Sequence, residues 1–300
     1  RSIHNTIDYT WQMLSPELAT LMAQCSSFRG IFTCQAVTAI TGQSIQKVNQ
    51  LTQRSMLYMD TQRNLHIHGM MQQFAAQKLQ ENAAIAQATK QKHSEYFIGL
   101  LSTWWENSES QHIVAKLLPH LDNIYAAWDW AFNHQAFGLL SRTIIPFTQF
   151  HIYAGLLWDV QLLIQSYHQK LEEQRAILPE ISPEISPEIF PEIFPGIFPE
   201  EYQQMQTALT YARTIFHYQL GNYEQVPELM HAAQTQVHQH GYLHLAANLE
   251  HYLANFNRLA LRFTEAQQHF EQAIRYAKEQ KQPYSWIPPL ISLALNANQH

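Results

Sequence analysis

The sequence predicts a mostly α-helical protein, with three short capped helices and a β-hairpin at the N-terminus and paired helices behind them. Three observations carry this. Cap residues stand just ahead of apolar stripes in residues 1–80, apolar residues recur at helical spacing through most of the remainder, and a forty-residue repeat lies near the C-terminus.

Pro16 falls at the first position of a helix capped by Ser15, with Leu18, Leu21, Met22 and Cys25 along one face. A turn at Arg29 and Gly30 leads to a second helix, capped by Thr33 and stopped by Gly42. Ser44 is expected to cap a third, with Ile45, Val48 and Leu51 as its buried stripe. The runs Met56–Asp60 and Asn64–His68 alternate apolar and polar residues around the turn Thr61-Gln62-Arg63, which reads as a β-hairpin. Three helices and a hairpin are the parts of a winged helix, expected over residues 1–80.

Residues 81–178 are expected to form a helical bundle that opens an array of helix pairs. A helix from Met70 shows Met71, Phe74, Ala75 and Leu79 on one side. A second carries Tyr96, Phe97, Leu100, Leu101, Trp104 and Trp105. A third, over about 115–133, buries Leu118, Leu121, Ile124, Tyr125, Trp128 and Phe132. In residues 201–300 the series Tyr223, Val226, Met230, Ala233, Val237 recurs forty residues later as Phe263, Ala266, Phe270, Ala273, Ala277. An aromatic followed by small residues suits helix pairs of tetratricopeptide character, and a weaker copy starts near Gly155 and Trp158. Between the copies, over residues 179–200, the motif Ile-(Ser/Phe)-Pro-(Glu/Gly) repeats from Ile181 to Glu200. A proline every fourth residue opposes a regular helix and does not match the three-residue period of a polyproline ligand, so an extended insertion is expected there.

Composition narrows the function. Charged residues make up 14% of the chain, and glutamine with 17 histidines supplies much of the polar surface. The net charge of −6 divides unevenly, +3 over residues 1–80 and −9 over the rest, so affinity for nucleic acid belongs to the first segment. Cys25 and Cys34 fit neither a disulfide framework nor a zinc spacing and read as reduced thiols of a cytoplasmic protein. With no leader-like start and no apolar run of membrane-spanning length, a membrane partner is not expected.

The sequence holds no glycine-rich phosphate loop, dinucleotide fingerprint, zincin helix or nucleophile elbow, so no enzymatic activity is expected of it. The acidic pairs Glu172-Glu173 and Glu200-Glu201 read as solvated helix ends. His66 and His68 alternate on the second hairpin strand, and His240, His244 and His251 share a rough helical face. Neither group has a further ligand placed by spacing, so no metal is expected. On the third helix Gln46, Lys47, Gln50 and Arg54, with Asn49 and Gln53 beside them and Arg63 on the hairpin, are side chains that a DNA-reading helix uses. An exposed polar face is the commoner outcome for such a row.

Several ordered motifs resemble a known family. Thr6-Ile-Asp-Tyr-Thr-Trp11, Leu14-Ser-Pro-Glu17 and Phe28-Arg-Gly-Ile-Phe32 resemble the winged-helix region of STAND-class, NB-ARC-like bacterial signalling ATPases. So do Leu51–Leu57, Ile67-His68-Gly69 with Phe74-Ala75 and Lys78-Leu79, and Leu121-Asp-Asn-Ile124 with Ala127-Trp-Asp-Trp-Ala131. The resemblance covers about residues 1–135. It implies a P-loop ATPase domain ahead of the winged helix, so that the chain reads as a fragment or a split-gene product. It also implies that His68 contacts the phosphate of ADP held by that domain, in cis or in trans, and that the helical repeats sense a ligand or protein partner. No cofactor is expected in the chain itself. The alternative is a free-standing DNA-binding regulator with the repeats as effector domain.

Overall fold

A computed structural model describes residues 3–107, 110–181, 199–280, 291–293 and 295. Among them the protein is mostly α-helical, with one two-stranded antiparallel sheet. The chain divides into two compact units, residues 1–136 and 137–300.

The first unit begins with helix α1 (Ile3–Gln12), whose Ile3, Ile7 and Trp11 recur every fourth residue, a stripe that sequence reasoning missed. Its Trp11 packs edge-on to Phe74, at 5.3 Å between ring centres, and against Ala23, Leu79 and Ala86. Helix α2 (Pro16–Cys25) is capped as expected, Ser15 Oγ accepting from Leu18 N, and buries Leu18, Leu21, Met22 and Cys25. Helix α3 (Cys34–Thr41) is capped by Thr33 and ends at Gly42, whose φ of 70° lets its N–H return to the Thr38 carbonyl.

Helix α4 (Ile45–Gln53) departs from expectation at its start. Ser44 is extended at the N-cap but its hydroxyl caps nothing, and Ile45 is 52% exposed, leaving Val48 and Leu51 to hold the helix down. The hairpin is also shorter, β1 (Tyr58–Met59) pairing with β2 (Leu65–His66). Met56 N and Leu57 N return to the Leu51 carbonyl and finish α4 instead of extending the strand. Beyond His66 the chain turns into helix α5 (Gly69–Gln80), so His68 lies past the strand. Leu65 also makes a two-way backbone bridge with Phe32, adding a residue from another part of the chain to the sheet.

Helix α6 (Ala83–Asn107) buries His93, Ser94, Phe97, Ile98 and Leu101. The single helix expected over 115–133 is broken. Helix α7 (Ser110–Leu117) passes through a 3-10 turn containing Pro119 before helix α8 (Leu121–Asn133), because proline cannot continue the hydrogen-bond ladder. Leu118, on that turn, is 44% exposed rather than buried. α8 packs against α6, so residues 81–136 belong to the first unit.

In the second unit helix α9 (Phe137–Ala154) is buried along most of its length, including its internal Pro146. Helix α11 (Pro199–Gln219) packs against α9, against α10 (Leu157–Ile181) and against α12 (Val226–His240). Helix α13 (Leu243–Leu259) packs closely on α14 (Phe263–Glu279). Burial repeats at the expected interval: Val226, Met230, Ala233 and Val237 in α12 correspond to Ala266, Phe270, Ala273 and Ala277 in α14. The extended insertion expected over 179–200 is helical at both described edges, residues 179–181 closing α10 and 199–200 opening α11 with Pro199 in the first turn, where proline is tolerated; residues 182–198 lie outside the described residues. No helix among the described residues is long and apolar enough to cross a membrane.

Candidate functional site

His68 occupies the N-cap of α5 with extended backbone and an exposed side chain. Its imidazole caps nothing and has no hydrogen-bond, ion-pair or ring partner among the described residues. The first turn of α5 carries no acidic residue. An exposed imidazole beside the free N–H groups of a helix start is an arrangement able to meet a phosphate.

The start of α5 is tied into the unit by a chain of hydrogen bonds. The His68 carbonyl accepts from Gln72 N at 2.9 Å, and Gln72 Nε2 donates to the Phe28 carbonyl at 2.6 Å. Phe28 stacks on Phe32 at 4.3 Å between ring centres and meets His93 and Phe97 edge-on. The loop between the two stacked rings turns at Gly30, whose φ is 62°.

That loop is gripped from α8 by Asn123, whose side chain is fully buried. Asn123 Oδ1 accepts from Arg29 N at 2.7 Å and meets His93 Nε2 at 3.1 Å, while Nδ2 donates to the carbonyls of Arg29 and Ile31. All four hydrogen-bonding positions of the amide are thereby used. Burial pushes His93 down to about 4, against the opposing pull of its bond to Asn123, so its ring is neutral at pH 7 and donates Nε2–H to the amide oxygen. Sequence reasoning missed Asn123, Gln72 and His93. The available signal was an asparagine and a histidine standing in the apolar stripes of two helices.

The candidate DNA-contacting residues do not form one free surface. Gln46 and Gln50 are exposed one turn apart on α4. Lys47 is instead half-buried, 2.7 Å from Glu17 Oε2 and 2.9 Å from Gln43 Oε1, and the lysine draws the Glu17 carboxyl below its usual range. Arg54 donates to the Met13 carbonyl at 3.1 Å. Arg63, at φ 66°, is exposed on the hairpin turn. The turn is organised by Asp60, which accepts from Gln62 N, Asn64 N and Asn64 Nδ2 and faces His66 Nε2 at 3.1 Å. His66 first, then these donors, bring the Asp60 carboxyl down to about 2.

The remaining histidines do not converge. His66 stacks on Tyr58, 4.5 Å between ring centres, and His68 lies beyond the strand end. His240 stacks beside Tyr242, while burial holds His244 below its ordinary value and pushes His251 down to about 4. Among the described residues no three His, Cys, Asp or Glu side chains form a group suited to a metal ion. Cys25 is buried, its thiol pushed up to about 12 by desolvation, and Cys34 is half-buried; neither is in a disulfide. Glu172 accepts from Gln206 Nε2 and Glu173 from Gln169 Nε2. Glu200 and Glu201 lie in the first turn of α11, where carboxylates favour the helix dipole.

No known family profile matches the chain, and no curated protein matches it in sequence. Among solved structures, it is similar to a signal transduction ATPase with numerous domains that carries a tetratricopeptide repeat sensor, from Pyrococcus horikoshii. The identity is 11% and the TM-score 0.36, over 100% of this chain and 50% of that one. The chain therefore spans about half the length of that protein.

Proposed function

We propose that residues 1–136 contain the winged-helix arm of a STAND-type signalling ATPase system, and that residues 137–300 are its tetratricopeptide-like sensor and assembly region. The observation that carries this reading is the mutual contact of the segments on which the family resemblance rests. Residues 28–32, 67–79 and 121–131 are far apart in sequence, yet Gln72 and Asn123 bind them to one loop. An unpartnered imidazole at the start of α5 supports a contact from His68 to the phosphate of ADP held by an ATPase domain, in cis or in trans. Loss of that contact on nucleotide exchange frees the arm, and the repeats engage a ligand or protein partner. The chain contributes no catalytic group on this reading, and it works in the cytoplasm.

The test is ADP release from the ATPase domain in complex with this chain. A charged-group hydrogen bond is worth ~1.5–3 kcal/mol, so His68→Ala speeds release by roughly 10- to 100-fold. An unchanged off-rate removes His68 from this role. The mass of the native polypeptide separates the two arrangements: well above 34.9 kDa means cis, at that mass means trans.

A DNA-binding regulator is the second reading, favoured by the exposed Gln46 and Gln50 and by Arg63 on the hairpin turn. It requires salt-dependent DNA binding that Gln50→Ala and Arg63→Ala weaken.

A further inference from the structure

The second unit contains a polar cleft of about 220 Å³ lined by Gln161, Gln165, Arg213, His217 and Gln225. It lies where α10 and α11 pack, beside the residue preceding α12. No part of the mechanism above uses it.

The lining has a surplus of donors. Arg213 Nη1 donates to His168 Nε2 at 3.0 Å, and no carboxylate among the described residues stands within ion-pair distance of the guanidinium. A guanidinium has five N–H donors, and one neutral imidazole satisfies one of them. Gln161 Nε2 lies 3.4 Å from His217 Nε2. The buried His217 Nδ1 has no hydrogen-bond partner among the described residues. Glu172, on α10, accepts from Gln206, and its charge favours the protonated Arg213 without touching it. Among the described residues the half-buried Arg213 thus has no carboxylate in direct contact, and the cleft around it is lined by amide groups and a histidine.

We infer that this cleft binds a small oxyanion, a carboxylate or a phosphate group, on the Arg213 fork. A planar guanidinium offers two parallel N–H groups to either anion, and the volume suits a small metabolite better than a nucleotide. The inference rests on reading residues 137–300 as a sensor. Binding is measured on the 300-residue chain without any ATPase, so it can fail while the role of His68 stands, and the reverse.

The experiment is isothermal titration calorimetry with inorganic phosphate and, separately, malonate. Saturable one-site binding of either is expected, the tighter probe showing which oxyanion the cleft prefers. Arg213→Gln weakens it at least tenfold, whereas the exposed Arg275→Gln leaves it unchanged. Gln165 is exposed, so Gln165→Glu and Gln165→Lys alter the charge of the cleft without threatening the fold. The first weakens binding severalfold and the second tightens it. If circular dichroism shows Arg213→Gln unfolded, the Gln165 pair decides. Absence of saturable binding by either probe overturns the proposal, as does affinity indifferent to both charge changes at Gln165.

Discussion

Replacing Asn123 with alanine removes four hydrogen bonds from the centre of the first unit. The Arg29 N–H and the carbonyls of Arg29 and Ile31 lose their side-chain partner, and His93 loses the acceptor of its proton. Each such bond contributes ~1 kcal/mol net, and a donor or acceptor left buried costs ~1–3 kcal/mol more than one that reaches water. Water can reach Arg29, which is exposed, but not His93, which is 4% exposed. The four bonds together with the buried His93 donor make the expected loss ~5–7 kcal/mol. With a urea dependence of ~2 kcal/mol per molar, the unfolding midpoint falls by about 3 M. Tryptophan fluorescence is the suitable probe, because five of the seven tryptophans (Trp11, Trp104, Trp105, Trp128 and Trp130) lie in residues 1–136. Asn133→Ala, on the exposed end of the same helix, serves as the control and shifts stability by no more than ~0.5 kcal/mol. A loss below ~1 kcal/mol for Asn123→Ala would refute the view that this amide organises the loop.

Two further outcomes follow from the same packing. His93 has a folded value of about 4 against an ordinary 6.5, so on acidification the unfolded chain takes up the proton first. Its stabilising contribution is complete above pH 6.5 and is lost as the pH falls toward 4, a change of ~3 kcal/mol. His93→Gln retains a donor for Asn123 and flattens this part of the fluorescence-monitored stability–pH curve; parallel curves for the two proteins would contradict the assignment. In the second unit Phe270 is fully buried against Ala254 and Ala266. Phe270→Ala costs ~3–5 kcal/mol in urea unfolding followed by far-ultraviolet circular dichroism, and a loss under ~1 kcal/mol would mean that α13 and α14 do not depend on this contact.

Cap chemistry was the most legible part of the sequence, because it acts over three or four residues. Ser15 and Thr33 accept from Leu18 N and Ala36 N, and Gly42 ends α3 as its position suggests. The buried positions of the repeat, Val226 to Val237 and Ala266 to Ala277, were legible for a similar reason, whereas its leading aromatic Tyr223 is 47% exposed ahead of α12. What failed was whatever depended on distant partners. Ile45 has the spacing of a core residue, but no neighbouring element covers it. Ser44 has the cap residue type without the bond. Asn123 grips residues more than ninety positions away, a pairing that no local pattern encodes. Its place among Ile124, Ala127, Trp128 and Ala131 on a buried face was nonetheless a sign, because an amide is costly there unless fully satisfied. The cleft around Arg213 was silent in sequence for a different reason: it is assembled from single residues on α10 and α11 and just ahead of α12, none forming a motif.

In the loop over residues 29–31 Asn123 holds only main-chain atoms, the N–H and carbonyl of Arg29 and the carbonyl of Ile31. None of these bonds uses the side chains at 29 and 31, although the Arg29 charge helps keep His93 neutral. Mutational drift can rewrite the outward face of the loop, changing its charge or shape toward a partner, while its path stays the same. The constraint falls on two other positions. One is 123 itself, where only an asparagine both accepts and donates in this geometry. The other is 30, where the positive φ and the Asp122 oxygen 3.2 Å from any added Cβ leave room for glycine. A changeable surface is thus mounted on a fixed path of backbone.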